Sequence, residues 1–132
     1  MGIRVVECLS WAAPNKPGKL LQYAEHLKKE DVNLDALWAY TSPNGEGKIA
    51  AIGKNPKKLR AALSKGGVAA DASHCFYITG SDKTGALVNA LRKLSDADVN
   101  VACADALAGA GAFGATIWVD DLAKAKRALK LR

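Results

Sequence analysis

Apolar residues along the chain fall into runs of two kinds that alternate. Ile3 to Trp11 is rich in Val, Ile, Leu and Trp and closes at Pro14, which reads as a strand leading into a loop. Leu20, Leu21, Ala24 and Leu27 then recur at helical spacing with Glu25, Lys28 and Lys29 opposite, so a helix follows and stops near Asp31. Asn15 stands where it can cap that helix, and Pro17 suits its first turn. Leu34 to Thr41 and Lys48 to Gly53 read as two further strands, joined by the turn residues Ser42, Pro43, Asn44 and Gly45. A second helix opens at Asn55 and Pro56, turns Leu59, Ala62 and Leu63 inward, and breaks at Gly66 and Gly67. Val68 to Ala70 has the character of a short fourth strand.

From Ser73 onward the pattern repeats at an offset of 67: Cys75 follows Cys8, Leu87 follows Leu20, and Asp98-Val99-Asn100 follows the identical Asp31-Val32-Asn33. Helical spacing in Ala86, Leu87, Leu91 and Leu94 gives way to a strand over 101–107, a Gly-rich turn, a strand over 115–119 and a helix over 122–130. The order β-α-β-β-α-β made twice predicts an α+β protein of two ferredoxin-like βαββαβ units, 1–70 and 71–132, each an antiparallel sheet with helices on one face. In the last helix the offset drops to 66, and the sequence ends where a fourth strand of the second copy would begin. The second unit is therefore expected to lack that strand and to leave its first strand open for pairing with the other unit or another chain. Ile49 and Ala51 alternate with Ala50 and Ile52, so both faces of this strand are apolar, and a homodimer covering the helix-free face is expected.

Composition narrows the function classes. A chain of 132 residues, 49% hydrophobic and 24% charged, can bury a core, and no apolar stretch approaches the ~20 residues of a membrane-spanning helix. The 3 cysteines lie in or beside apolar runs, and nothing after Met1 resembles a secretory signal, so reduced thiols and a cytoplasmic location are expected. The net charge of +6 is spread over the outer faces of helices, which argues against nucleic acid as the natural partner. No nucleophile, base and orienting group are spaced for catalysis, and no cysteine or histidine spacing suits a metal, so neither enzymatic activity nor a cofactor is expected.

The remaining chemistry sits at two strand-to-helix turns, Asn15-Lys16-Pro17-Gly18-Lys19-Leu20 and its echo Asp82-Lys83-Thr84-Gly85-Ala86-Leu87. Asn15 and Asp82 have the side-chain oxygens of helix caps. Gly18 and Gly85 add something that capping does not need, because glycine in a first helical turn is costly unless something approaches the backbone closely. A free amino acid matches the site in sign: its carboxylate can meet unpaired amides at the positive end of the helix dipole, and its ammonium can donate to Asn15 or Asp82. Capping and ligand binding both stay open on the residues alone.

These turns, with the helix exits Asp31-Val32-Asn33-Leu34-Asp35 and Asp98-Val99-Asn100-Val101, resemble the ACT domains, small regulatory modules of amino-acid metabolism, here as a tandem pair without a catalytic domain. The resemblance implies βαββαβ units that pair and bind amino acids or related effectors where units meet. It implies that the loop residues Asn15 and Gly18, and Asp82 and Gly85, hold the amino and carboxylate groups. Asn33 or Asn100, from an adjoining unit, would complete the pocket, and a metabolic enzyme or regulator would receive the signal.

Two other signals lose on context. Gly109-Ala110-Gly111-Ala112-Phe113-Gly114 spells a dinucleotide fingerprint, but a strand follows it where the fingerprint requires a helix. The strand aromatics Trp11, Trp38, Trp118, Phe76 and Tyr77 invite an RNA-stacking reading, but the basic-aromatic third-strand signature of such modules is absent from Lys48-Ile49-Ala50-Ala51-Ile52.

Overall fold

A computed structural model describes residues 2–131. Its elements run β1 (Gly2–Ala13), α1 (Lys19–Lys29), β2 (Leu34–Thr41), β3 (Gly47–Gly53), α2 (Pro56–Lys65), β4 (Asp71–Ser81), α3 (Val88–Asp96), β5 (Val101–Gly109), β6 (Ala112–Val119) and α4 (Leu122–Ala128). The order βαββα is made twice, as the apolar pattern predicts except for the fourth strand expected in the first copy. The chain divides into two compact units, one of Glu7–Ser73 and the other of Met1–Val6 with His74–Arg132. Among the described residues no helix is long and apolar enough to cross a membrane.

In the first unit the strands lie in the order β2-β3-β1, with Leu9 to Ala13 of β1 antiparallel to Ala51 to Gly47 of β3. Alternation then decides the core: Leu9, Trp11 and Ala13 of β1 and Ile49 and Ala51 of β3 share the face that packs on Leu27 of α1 and Leu59, Ala62 and Leu63 of α2. In the second unit the order is β5-β6-β4, followed by the Gly2–Val6 end of β1. Phe76, Ile78, Phe113, Ala115 and Ile117 face Ala90 and Leu94 of α3, Ala125 of α4 and Leu129 just after it, and Ile3 and Val5 pack on the same cluster. Among the described residues no strand follows α4, and the Gly2–Val6 end of β1 pairs beside β4.

All four helices stop the same way. The last turns close through pairs of the kind Asp31 N–H to Lys28 O (3.0 Å) and Val32 N–H to Leu27 O (2.9 Å), repeated at Gly67 and Val68, at Asp98 and Val99, and at Lys130 and Leu131. The residue at the left-handed position is Asp31 (φ 58°), Gly67 (74°), Asp98 (58°) or Lys130 (59°). The repeated Asp-Val-Asn triplet is thus a helix stop, with the valine turned back onto the core.

Three expectations change. Val68 to Ala70 is not a strand: Val68 and Ala70 pack against the first core and β4 begins at Asp71. Helix α1 opens at Lys19 rather than after Asn15, and of its expected apolar face only Leu27 is buried, Leu20 being 43% and Leu21 62% exposed. The offset falls from 67 to 66 in the hairpin rather than the last helix: Trp11 pairs with Ile49 and Ile78 with Ala115, because Ala110-Gly111 is a tighter turn than Ser42 to Glu46. On the helix-free face the central residues Cys8 and Ile52 of the first unit, and Val6, Cys75 and Thr116 of the second, are already buried within one chain. Wide side chains share that face by register: Trp38 opposite Ala50, Trp118 opposite Cys103, and Tyr77 with Arg4 lying 5.1 Å over its ring.

Candidate functional site

The turn between β1 and α1 leaves the sheet at Ala13. Gly47 lets it pass: a Cβ there would stand 2.4 Å from Ala13 O and 3.5 Å from Asn15 N, so only glycine admits the end of β1 and the loop against β3. Lys16 N–H folds back to Pro14 O at 2.9 Å and Lys19 N–H to Lys16 O at 3.3 Å, after which Gln22 N–H to Gly18 O starts the helical ladder. Gly18 is the N-cap with φ 85°, a left-handed position, and a Cβ on it would meet nothing within 4 Å. Its glycine is therefore required by the backbone angle, no neighbouring strand approaches it, and the space beside it is open.

No side chain caps α1 or α3. The other two helices are capped from the sequence, Asn55 accepting from Lys58 N–H at 3.2 Å and Asp121 from Lys124 N–H at 3.0 Å. Capping is thus made where no ligand chemistry was read and withheld where it was. Beside the bare start of α1 lies a cleft of about 230 Å³, lined by Ala13 to Lys16, Lys19, Leu20, Ala39 to Thr41 and Gly47 to Ile49. Asn15, Lys16, Lys19 and Leu20 come together there, and Pro17 and Gly18 supply the backbone between them. The hairpin residues Tyr40, Thr41, Gly47 and Lys48 were not singled out from the sequence; their place follows from the β2-β3 register, with Thr41 opposite Gly47 and Tyr40 opposite Lys48.

Asn33 is elsewhere. Its carbonyl accepts from Lys54 N–H at 3.0 Å, beyond the far end of β3, whereas Asn15 lies at the Gly47 end. A 7-residue strand separates them, a distance of ~20 Å. Asn33 lines a largely apolar cleft of about 310 Å³ with Trp11, Tyr23, Leu34 and Leu37. One unit does not bring the two asparagines together.

The second copy repeats this layout with differences. Asp82 N–H donates to Gly111 O at 3.0 Å, tying the loop to the β5-β6 turn, and Ala86 N–H to Lys83 O and Val88 N–H to Gly85 O wind 84–87 into turns, so α3 starts at Val88. Gly85 has φ 72° and its Cβ would touch Val88 Cγ2 at 3.4 Å, while Ala86 and Leu87 pack on the second core. Asn100 donates its N–H to Asp120 Oδ1 at 3.1 Å and lines a cleft of about 420 Å³ with Leu91, Leu94 and Asp98, again away from the loop.

No chemistry of bond-making gathers at either corner. Among the described residues no group of three His, Cys, Asp or Glu is placed to hold a metal. His74 is exposed on β4 beside the buried Cys75. The shifted ionisable groups are distant: Glu30 is held below the ordinary carboxylate value by a hydrogen bond from Lys65, and Arg60 above its own by Glu7. The fingerprint-like Gly109 to Gly114 stretch is a two-residue hairpin turn, Ala110 at φ 52° and Gly111 at 76°, running into β6.

Residues 4–131 match the family described as the ACT domain pair. The chain belongs to that family. Among solved structures, the ACT pair is similar to a protein from Bacteroides thetaiotaomicron at 27% identity and a TM-score of 0.84, covering 97% of this chain and 88% of that one. It is also similar to the ligand-free regulatory subunit of aspartate kinase from Thermus thermophilus, at 12% identity and TM-score 0.61 over 98% and 95% of the two chains. A third likeness is to E. coli aspartokinase III in complex with lysine and aspartate, at 12% identity and TM-score 0.57 over 97% of this ACT pair and 30% of that chain. At 12% the two kinase likenesses bear on the fold. No curated protein matches.

Proposed function

We propose that this ACT pair is an amino-acid sensor: it binds a free amino acid at the Gly18 corner and passes the bound state to a metabolic enzyme or regulator in the cytoplasm. The observation that carries the reading is the bare start of α1, uncapped beside an open left-handed glycine, where α2 and α4 of the same chain are capped. A zwitterion supplies what is missing there, with its carboxylate toward the helix start and its ammonium toward the Asn15 side-chain oxygen. Asp82, Lys83, Thr84, Gly85, Ala86 and Leu87 form the second corner on the same plan.

Completion of the site calls for a second copy. β2 is an outer strand of the first unit, and an antiparallel β2 from a partner would carry its Asn33 to the Thr41 end, next to Asn15. A homodimer paired at this edge therefore supports the role that Asn33 cannot fill within its own unit, and Asn100, just before β5, stands in the same relation to Asp82. A thermal-shift screen over the twenty amino acids at millimolar concentration is the test: occupancy at ~100 times the Kd adds ~2.7 kcal/mol. A flat response to all twenty defeats the proposal.

A further inference from the structure

The two corners differ in charge. Lys16 and Lys19 line the first, and Lys48 borders it, its side chain directed by register to the helix-free side with Ala12 and Tyr40. No carboxylate lines this cleft, and Glu46, the nearest acid along the hairpin, is outside its lining. The ion pairs of the first unit engage other bases: Lys54 with Asp35, Lys58 with Asp31, Arg60 with Glu7 and Lys65 with Glu30. Lys19 Nζ donates to the neutral Gln22 Oε1 at 3.2 Å, and among the described residues none of Lys16, Lys19 and Lys48 is in an ion pair. At the second corner the counterparts are Asp82, Lys83 and Ala86, and the register puts Gly114 in the place of Lys48. One acid and one base cancel there, while the first corner keeps its full positive charge beside the positive end of a helix.

A neutral zwitterion brings a single carboxylate, which the helix start accommodates and which leaves the lysines unmatched. A second carboxylate matches them, and a cationic side chain is repelled. We infer that the first corner selects an acidic amino acid and rejects a basic one, and that the second corner does not share this preference. The inference rests on the reading of the Gly18 corner as an amino-acid site.

Titration calorimetry on the full chain at low ionic strength tests it, using L-aspartate and L-glutamate against their neutral isosteres L-asparagine and L-glutamine, with L-lysine as the cationic case. Lys16→Gln/Lys19→Gln, first verified to melt as a folded protein, reports on the source of the preference. An acid is expected to bind ~10-fold or more tightly than its amide, as a charge-assisted hydrogen bond implies, with no heat from L-lysine. The double variant is expected to erase the difference, and added salt to narrow it in the wild type. Equal binding of acid and amide, an acid preference that survives in the double variant, or one indifferent to salt overturns the charge assignment and leaves the amino-acid reading in place. No heat with any of the five, alongside a flat screen of all twenty, removes both.

Discussion

At the scale of single residues, the corner depends on two glycines for different reasons, and they separate by experiment. Gly47→Ala drives a methyl against Ala13 O, a backbone atom with no room to yield, so a loss of ~1–3 kcal/mol is expected by urea denaturation. Gly18→Ala meets open space but must hold φ 85°, and costs ~1–2 kcal/mol through strain alone. The caps give a sharper contrast. Asn55→Ala and Asp121→Ala each remove a made hydrogen bond to a helix amide, worth ~1 kcal/mol. Asn15→Ala and Asp82→Ala remove none and are expected to change stability by less than ~0.5 kcal/mol while weakening ligand binding. Equal losses at Asn15 and Asn55 would mean that Asn15 serves its own helix after all.

At the scale of elements, α1 and α2 are joined by a bond that the helical pattern does not announce. His26 Nε2 donates to Ala62 O at 2.7 Å, which requires the proton on Nε2, and the ring reaches that carbonyl because Gly66 leaves it space. A Cβ at Gly66 would stand 2.8 Å from Nε2. Gly66→Ala is therefore expected to destabilise markedly in the wild type and much less in a His26→Ala background, and a double-mutant cycle by chemical denaturation reads the difference. The same two helices carry the Glu30–Lys65 pair at 3.1 Å. Because the folded Glu30 lies below its ordinary value of 4.5, its contribution is complete above that value and fades as pH falls through the lower folded one. Lys65→Met should flatten this acid limb of the stability profile, and only slightly, since the pair is solvated.

At the scale of the whole molecule, β1 is divided: its Gly2–Val6 end serves the second unit and the rest serves the first. Removal of residues 2–6 takes a neighbour from β4 and strips Ile3 and Val5 from the second core, while Leu9, Trp11 and Ala13 keep theirs. Hydrogen exchange on that truncated chain is expected to show protection lost in β4 and β6 and retained in β3. Uniform loss across both units would show that they do not respond separately. β5 is an outer strand, exposed over all but its first residue and with Leu107 81% exposed, so Leu107→Lys is expected to leave the urea midpoint unchanged.

Local rules written in the sequence determined the helices, the hairpin strands, the doubling, the cap at Asn55 and the Gly-rich turn after β5, because helical spacing, side-chain oxygens and left-handed angles act within a few residues. The Asp-Val-Asn triplet was visible as a repeat, but its meaning as a helix stop needed the carbonyls one turn back. What only the tertiary structure decided was pairing at a distance. The sequence could not say that Gly2–Val6 would pair beside β4. It could not show that Asn15 and Asn33 fall at opposite ends of β3, or that the hairpin walls the Gly18 corner with Lys48 at its edge. Each depends on strand register between segments tens of residues apart, and register is set by how the whole apolar surface is buried at once.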